Sequence, residues 1–232
     1  PPMATWNWPD LRGYDDMPKE GPVTPEQARH LLHGYYACVS FVDAQIGRLL
    51  GELEQLGLRE NTVVVFWGDH GFHLGEYGMW SKNTNFEYAT RAPLIVSAPG
   101  VAGARTDALV ELVDIYPSLC ELAGLPVPTS LEGASFAPLM KSPQRPWKTA
   151  AFSQFPRSRP ALMGYSLRTD QHRLTVWHPP TDPSNLTAVE LYDHRVDPEE
   201  NINIASAPEN SRLVAKLTAQ LGAGWRAALP PQ

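Results

Sequence analysis

The sequence predicts an α/β protein in which part of a mixed or parallel sheet is flanked by helices and followed by a small C-terminal antiparallel α+β subdomain. Three observations predict it. A long amphipathic pattern at 24–56 runs directly into Thr62-Val63-Val64-Val65-Phe66-Trp67, a β-branched and aromatic run without alternation. A second such run, Pro93-Leu94-Ile95-Val96-Ser97-Ala98, follows before another helical pattern. After residue 150 the texture changes to short strand-like runs separated by Pro, Asp, Asn and Thr clusters.

Residues 1–23 are rich in Pro, Gly, Asp and Trp and carry neither the helical nor the strand period, which predicts a loop or arm laid over something else. Thr24-Pro25-Glu26-Gln27 then has the form of a capping box with proline at the first helical position. Apolar residues recur at Leu31, Leu32, Tyr35, Tyr36, Val39, Val42, Ile46, Leu49, Leu50, Leu53 and Leu56, so a helix is expected up to Gly57. The next two runs read as strands buried on both faces, with a helix over 107–122 after them. Runs at 150–155, 163–168, 173–177 and 189–192 are close enough together for an antiparallel meander, covered by a final helix over 209–229. The domain reading is therefore an arm at 1–23, an α/β core at 24–148 and an antiparallel subdomain at 149–232.

Composition limits the function classes. Of 232 residues 43% are hydrophobic and only 19% charged, with seven Trp, the make-up of a packed chain. Proline, at 23 residues, is about double its average usage, which implies many loops. A formal net charge of −6 without a basic tract argues against a nucleic-acid partner and favours a small molecule. No stretch reaches the ~18 apolar residues of a membrane span. Cys38 and Cys120 both fall in helical patterns and read as buried thiols, which excludes a disulfide scaffold.

The chemistry gathers at the end of the first strand run, where Gly68-Asp69-His70-Gly71 follows Trp67. Ligands collect outside the carboxyl ends of strands in open α/β sheets, so Asp69 and His70 are either metal ligands or simple turn formers. Lys82 stands in Gly75-Glu76-Tyr77-Gly78-Met79-Trp80-Ser81-Lys82, a loop with glycines, aromatics and one acid. His73 and Glu76 lie in the same loop and read either as substrate contacts or as rim and pairing groups. Arg91 and Arg157 carry planar forks suited to an acidic sugar's carboxylate, or else to rim salt bridges. Trp67, Trp80 and Trp177 suit either a sugar floor or the core. Asp15-Asp16 reads as a solvated turn, and His30 and His33 as surface polarity on the helix.

The run from Gly68 to Gly100 resembles the sulfatase family of the alkaline-phosphatase-like superfamily: a strand ending in Asp-His-Gly, then Gly-Glu-x-Gly-x-Trp-x-Lys, then a Pro-Leu-Ile strand. Val110 to Leu119 and Leu131 to Phe136 resemble the family's next helix and loop. Phe152 to Arg157, Met163 to Thr169, Thr175 to Trp177, Glu190 to Asp193 and Asp197 to Asn201 resemble the C-terminal subdomain of its iduronate-2-sulfatase branch.

The resemblance implies sulfate-ester hydrolysis on a sugar or glycosaminoglycan. It implies one divalent cation, calcium or alternatively magnesium, at Asp69 and His70, and sulfate contact by Lys82. It also implies export to a periplasmic, secreted or lysosomal location. The family's nucleophile, a formylglycine made from Cys or Ser in Cys/Ser-x-Pro/Ala-x-Arg, has no counterpart here, since Cys38 precedes Val39-Ser40-Phe41-Val42 and Cys120 precedes Glu121-Leu122-Ala123-Gly124. The expectation is a C-terminal portion whose partner is the N-terminal part of the same sulfatase. Two other readings stay open: a phosphoester or phosphonate hydrolase of the same superfamily, and a non-catalytic module that binds sulfated glycans.

Overall fold

The computed structural model describes residue 1 and residues 3–5, 10–158 and 161–231; residues 6–9 of the expected arm lie outside the described residues. Helix α1 spans Pro25–Gln55. The expected capping box forms, with the Gln27 N–H donating to Thr24 Oγ1 at 3.2 Å and the Thr24 N–H donating to Gln27 Oε1 at 2.9 Å. Gly57, in the left-handed region at φ 67°, follows its end. Strand β1 is Val64–Trp67, α2 is Glu87–Thr90 and β2 is Leu94–Ser97. Helices α3, Ile115–Leu122, and α4, Ala137–Lys141, complete this half.

The β1–β2 pairing is antiparallel, with Val64 opposite Ser97 and Trp67 opposite Leu94, so the first half is a mixed α/β arrangement rather than a parallel one. The connection explains the direction. A parallel neighbour needs a crossover long enough to return the chain, usually a full helix. Here the linking segment folds over the end of β1 as loops and the four-residue α2, and β2 comes straight back.

The expected double burial of these strands is not met within this chain: Phe66, Trp67 and Ile95 are all exposed. Helix α1 behaves likewise. It buries no residue fully, and Tyr36, Val39, Phe41, Val42 and Leu49 stand in solvent. Their apolar pattern is real, but the surface that it would pack against is not among the described residues. Cys38 lies on the same helix and is exposed, contrary to the buried thiol expected there, whereas Cys120 is buried.

The second half matches its sequence pattern closely. Strands β3, Ala151–Ser158, β4, Ala161–Arg168, β5, His172–His178, and β6, Ala188–Asp193, form a four-stranded antiparallel sheet in that order. Helix α5, Ser211–Ala223, covers one face, packing Leu213, Val214, Leu217 and Leu221 on Leu167, Leu174, Val176 and Leu191. The expected helix over 107–122 is shorter than its pattern: residues 107–111 are irregular, a 3₁₀ turn follows at Leu112–Asp114, and α3 starts at Ile115. Buried Asp114 accepts from Lys148 Nζ at 2.7 Å and from the Ala134 and Glu111 N–H groups, which holds the irregular segment in place. No helix among the described residues is long and apolar enough to cross a membrane.

The opposite face of the sheet receives the loop after β1: Met79 and Phe86 pack on Trp177, Tyr192 and Leu162, together with Ala4 of the arm. Further along the arm, Leu11 and Met17 pack on Trp80, Leu31, Leu32 and Leu74. The loop that carries Lys82 is thus held between the arm, the start of α1 and the C-terminal sheet.

Candidate functional site

Strand β1 delivers the chain to Gly68, whose N–H donates to the Pro93 carbonyl at 3.0 Å, and the next two residues turn outward. Asp69 has 84% of its side chain exposed and His70 has 35%, with Asp69 Oδ2 and His70 Nε2 3.5 Å apart. His70 Nδ1 lies 2.7 Å from the Gly71 carbonyl. A carbonyl only accepts, so the Nδ1 proton points at Gly71 and Nε2 is the ring nitrogen that faces the Asp69 carboxylate. A metal-binding histidine is held in the same way, with one ring nitrogen fixed by a carbonyl and the other left to ligate.

Gly71 is required by contact rather than by a turn. A Cβ there would sit 2.0 Å from the Tyr88 carbonyl oxygen, because the chain passes flat against α2.

The two donors fit a divalent cation as part of its shell. Calcium takes about six to eight oxygen ligands, and a carboxylate oxygen with one imidazole is a fraction of that set. The remaining ligands would have to come from outside the described residues. A second group, Glu87, His194 and Glu200, also brings three donor atoms close together. Its centre is taken by cations of the protein itself. Arg173 donates to Glu87 Oε2 at 2.5 Å and to Glu200 Oε1 at 2.6 Å, Arg168 donates to Glu87 Oε2 at 3.1 Å, and His194 Nε2 lies 2.7 Å from Glu200 Oε1. This is a buried ion-pair network that ties α2 to the C-terminal sheet. Burial alone would raise both carboxyls, yet Arg173 beside each of them, with Arg168 at Glu87 and His194 at Glu200, holds them below the usual carboxylate range.

The Lys82 side chain is exposed and makes no hydrogen bond or ion pair among the described residues, while its carbonyl accepts from the Thr84 N–H at 2.9 Å. It lines a cavity of about 650 Å³ together with Phe72 and Trp80 from its own loop, Asp10, Tyr14 and Asp16 from the arm, and His30 and Tyr35 from α1. The Tyr35 and Phe72 rings lie 6.0 Å apart, tilted by 32°, so the start of α1 stands beside the loop that follows Asp69 and His70. Trp80 therefore forms part of a wall, whereas Trp177 is core and Trp67 an exposed strand residue.

The other expected site residues are placed differently. His73 is fully buried, with Nε2 2.8 Å from Thr84 Oγ1 and its ring among Tyr77, Phe86 and Tyr88. Burial pushes its imidazole down to about 4, against weak opposition from Glu76 and Glu200, so it is neutral near pH 7. Arg157 is also buried, and donates to the carbonyls of Met3 at 2.6 Å, Ala4 at 3.2 Å and Asn83 at 3.2 Å, over the Trp177 ring. Desolvation lowers its guanidinium to about 10, with Glu190 opposing, which still leaves it charged. Neither side chain lines the cavity: Arg157 is spent on three carbonyls and buried His73 on Thr84, with its Nδ1 left unpartnered among the described residues, so both stand beneath the Lys82 loop rather than at the substrate contact expected of them. Arg91 is 70% exposed and only loosely paired with Glu87 at 3.9 Å, so it is free to swing.

Sequence reasoning did not single out Asp10, Tyr14 and Tyr35, and read Asp16 and His30 as solvent-facing. The arm has no period to reveal its inner face. The only signal was the density of aromatic and acidic residues before a strong helix start.

Residues 7–125 match the family model for sulfatases, and residues 75–226 match the model for the C-terminal region of N-sulphoglucosamine sulphohydrolase. Iduronate 2-sulfatase of Mus musculus is 32% identical over 290 aligned positions, which cover 94% of this chain and 52% of that protein. N-acetylglucosamine-6-O-sulfatase of Bacteroides thetaiotaomicron is 32% identical, with 80% of this chain and 34% of that protein covered. Among solved structures, a phosphonate monoester hydrolase from Silicibacter pomeroyi superposes with a TM-score of 0.81 at 26% identity, over 94% of this chain and 44% of that one. The chain thus spans about half the length of the iduronate 2-sulfatase it matches, and less of the others.

Proposed function

The chain belongs to the sulfatase family, and from that premise we propose that it forms the C-terminal part of a sulfuric ester hydrolase acting on a sulfated sugar or glycosaminoglycan. The observation that carries the reading is Lys82, an exposed cation with no side-chain partner among the described residues, on the wall of a large cavity, with the Asp69 carboxylate and His70 Nε2 set 3.5 Å apart at the end of β1, thirteen and twelve residues upstream.

Each residue type fits a role in that chemistry. Asp69 and His70 Nε2 would hold one divalent cation, calcium or magnesium, which when bound fixes sulfate oxygens and the nucleophile in one geometry and offsets their charge. Lys82 places a point charge against the sulfuryl oxygens, where it is worth most as charge grows in the transition state. His73 and Arg157 keep the Lys82 loop rigid from beneath: one is neutral and bonded to Thr84, the other bonded to the Asn83 carbonyl next to Lys82. Arg91, at the exposed end of α2, is available to a substrate anion at the rim.

The nucleophile is no residue of this chain, and the formylglycine element of the family would stand in an N-terminal part that also covers the bare faces of α1 and β1–β2. Two observations support that partner: the relatives are about twice as long, and the exposed side chains of α1 keep a core-like pattern. The reading carries with it an exported location, periplasmic, secreted or lysosomal, as in the family.

A second reading, phosphonate or phosphoester hydrolysis, is favoured by the high superposition on the phosphonate monoester hydrolase. One experiment separates the readings. The complete protein is examined by mass spectrometry for Cys-to-formylglycine conversion and assayed on matched sulfate and phosphonate monoesters. Formylglycine with preferred sulfate release supports the sulfatase. Preferred phosphonate cleavage supports the second reading, and an unmodified protein without either activity supports a non-catalytic glycan-binding module.

A further inference from the structure

The cavity beside Lys82 has a second character that sulfate binding does not use. Its walls are aromatic on several sides, from Tyr14, Tyr35, Phe72 and Trp80, and its ionisable side chains other than Lys82 are the acids Asp10 and Asp16 of the arm and His30 of α1. A volume of about 650 Å³ is far more than a sulfate fills and suits a sugar ring or a disaccharide.

The arm that brings these acids is held in place. Leu11 and Met17 are buried against Trp80. Arg12 donates to the Pro18 carbonyl at 2.7 Å and the Gly21 carbonyl at 2.6 Å, and Gln27 Nε2 donates to the Asp16 carbonyl at 3.0 Å. The Asp10 and Asp16 side chains, by contrast, have no ion-pair partner among the described residues. Aromatic faces receive the apolar face of a pyranose, while carboxylates accept hydrogen bonds from hydroxyl and amino groups and repel a second anion.

We infer that the arm carrying Asp10, Tyr14 and Asp16 is the specificity wall of the site, selecting a sulfated neutral or amino sugar over a sulfated uronate. The inference rests on the sulfatase reading and deepens it. The sulfate would face Lys82, and the hydroxyl or amino groups of the ring would face Asp10 and Asp16. The uronate carboxylate, which the sequence pairs with Arg91 or Arg157, would meet two acids on the arm, and among the described lining residues neither arginine is present: Lys82 is given to the sulfate and His30 of α1 is the one other ionisable nitrogen.

The test uses the complete protein and three probes: 4-nitrocatechol sulfate, D-glucosamine 6-sulfate and L-iduronate 2-sulfate. The expected result is a kcat/KM for D-glucosamine 6-sulfate at least about tenfold above that for L-iduronate 2-sulfate. Asp10→Asn and Asp16→Asn should each raise KM for the glucosamine ester several-fold with a smaller change in kcat, and the double variant should narrow or reverse the preference. A wild-type preference for the uronate, or a selectivity ratio unmoved by the double variant while 4-nitrocatechol sulfate is still turned over, overturns the specificity wall and leaves the sulfatase reading standing. No turnover of any of the three sulfates overturns both.

Discussion

Replacing Arg173 by Met is expected to destabilise the protein by about 3 kcal/mol near pH 7. Only 3% of the Arg173 side chain is exposed, and it donates to Glu87, Glu200 and Thr90 Oγ1 at 2.5, 2.6 and 2.9 Å. Removing one partner of a buried ion pair costs roughly 3–5 kcal/mol, because the other charge is left without compensation. The lower end applies here, since Glu87 keeps Arg168 at 3.1 Å, and Glu200 keeps His194 at 2.7 Å and the Glu87 N–H at 2.8 Å. The pH dependence follows in sign. Both carboxyls are held below their ordinary 4.5 in the folded state, chiefly by Arg173 against the opposing effect of burial. The unfolded chain therefore takes up protons first, and this stabilisation is complete above pH 4.5 and lost as pH falls through the folded values. Denaturant titrations followed by tryptophan fluorescence should show the full gap between wild type and R173M at pH 7, and a gap that shrinks as pH falls through the carboxylate range, because the variant's carboxyls, without Arg173, take up protons before those of the wild type. A loss under about 1 kcal/mol at pH 7, or a gap that persists unchanged into acid, would refute the role given to this network.

Lys82→Ala should lower kcat of the complete protein by about 10²–10³, the range for removing one transition-state charge contact, while stability stays within about 0.5 kcal/mol because the side chain is exposed. Steady-state kinetics beside a denaturation curve checks both halves. His73 takes a proton only near pH 4 in the folded protein but near 6.5 when unfolded, so it subtracts stability as pH falls through that window, by about 3 kcal/mol in total. His73→Gln should flatten the stability-versus-pH curve between 6.5 and 4, and an unchanged slope would show that the imidazole is not buried and neutral. Gly71→Ala should cost about 3 kcal/mol through the clash with the Tyr88 carbonyl, and should weaken cation binding by moving His70; calorimetric titration with calcium reads the second effect.

Local signals in the sequence carried most of the fold. The Thr24–Gln27 capping box and the periodic stripe define α1 to within a residue or two, and the four strand-like runs after residue 150 appear as β3 to β6 at nearly their expected places. What the sequence could not show was which apolar faces find cover. Phe66, Trp67 and the α1 stripe find no cover among the described residues, and the antiparallel return of β2 depends on how the intervening loop packs.

Asp69, His70 and Lys82 lie where their sequence pattern puts them, at a strand end and in the loop that follows it, and their roles there belong to the proposal. The network at Arg173 was not legible in the sequence, because its partners Glu87 and Glu200 are far away along the chain. A charge inside an otherwise apolar strand run was the available sign, and Glu190, buried beside Trp177 Nε1 at 2.5 Å and the Tyr192 hydroxyl at 2.6 Å, was another.

The central claim is that Asp69 and His70 hold a cation on which sulfate-ester hydrolysis depends. Its most direct test is sulfate release from 4-nitrocatechol sulfate by the complete protein, measured before chelation, after chelation and after calcium is restored, for wild type and for Asp69→Ala. The account predicts wild-type release that falls on chelation and returns with calcium, and a D69A variant that stays inactive throughout. Equal release from D69A, or wild-type release indifferent to chelation and calcium, would contradict it.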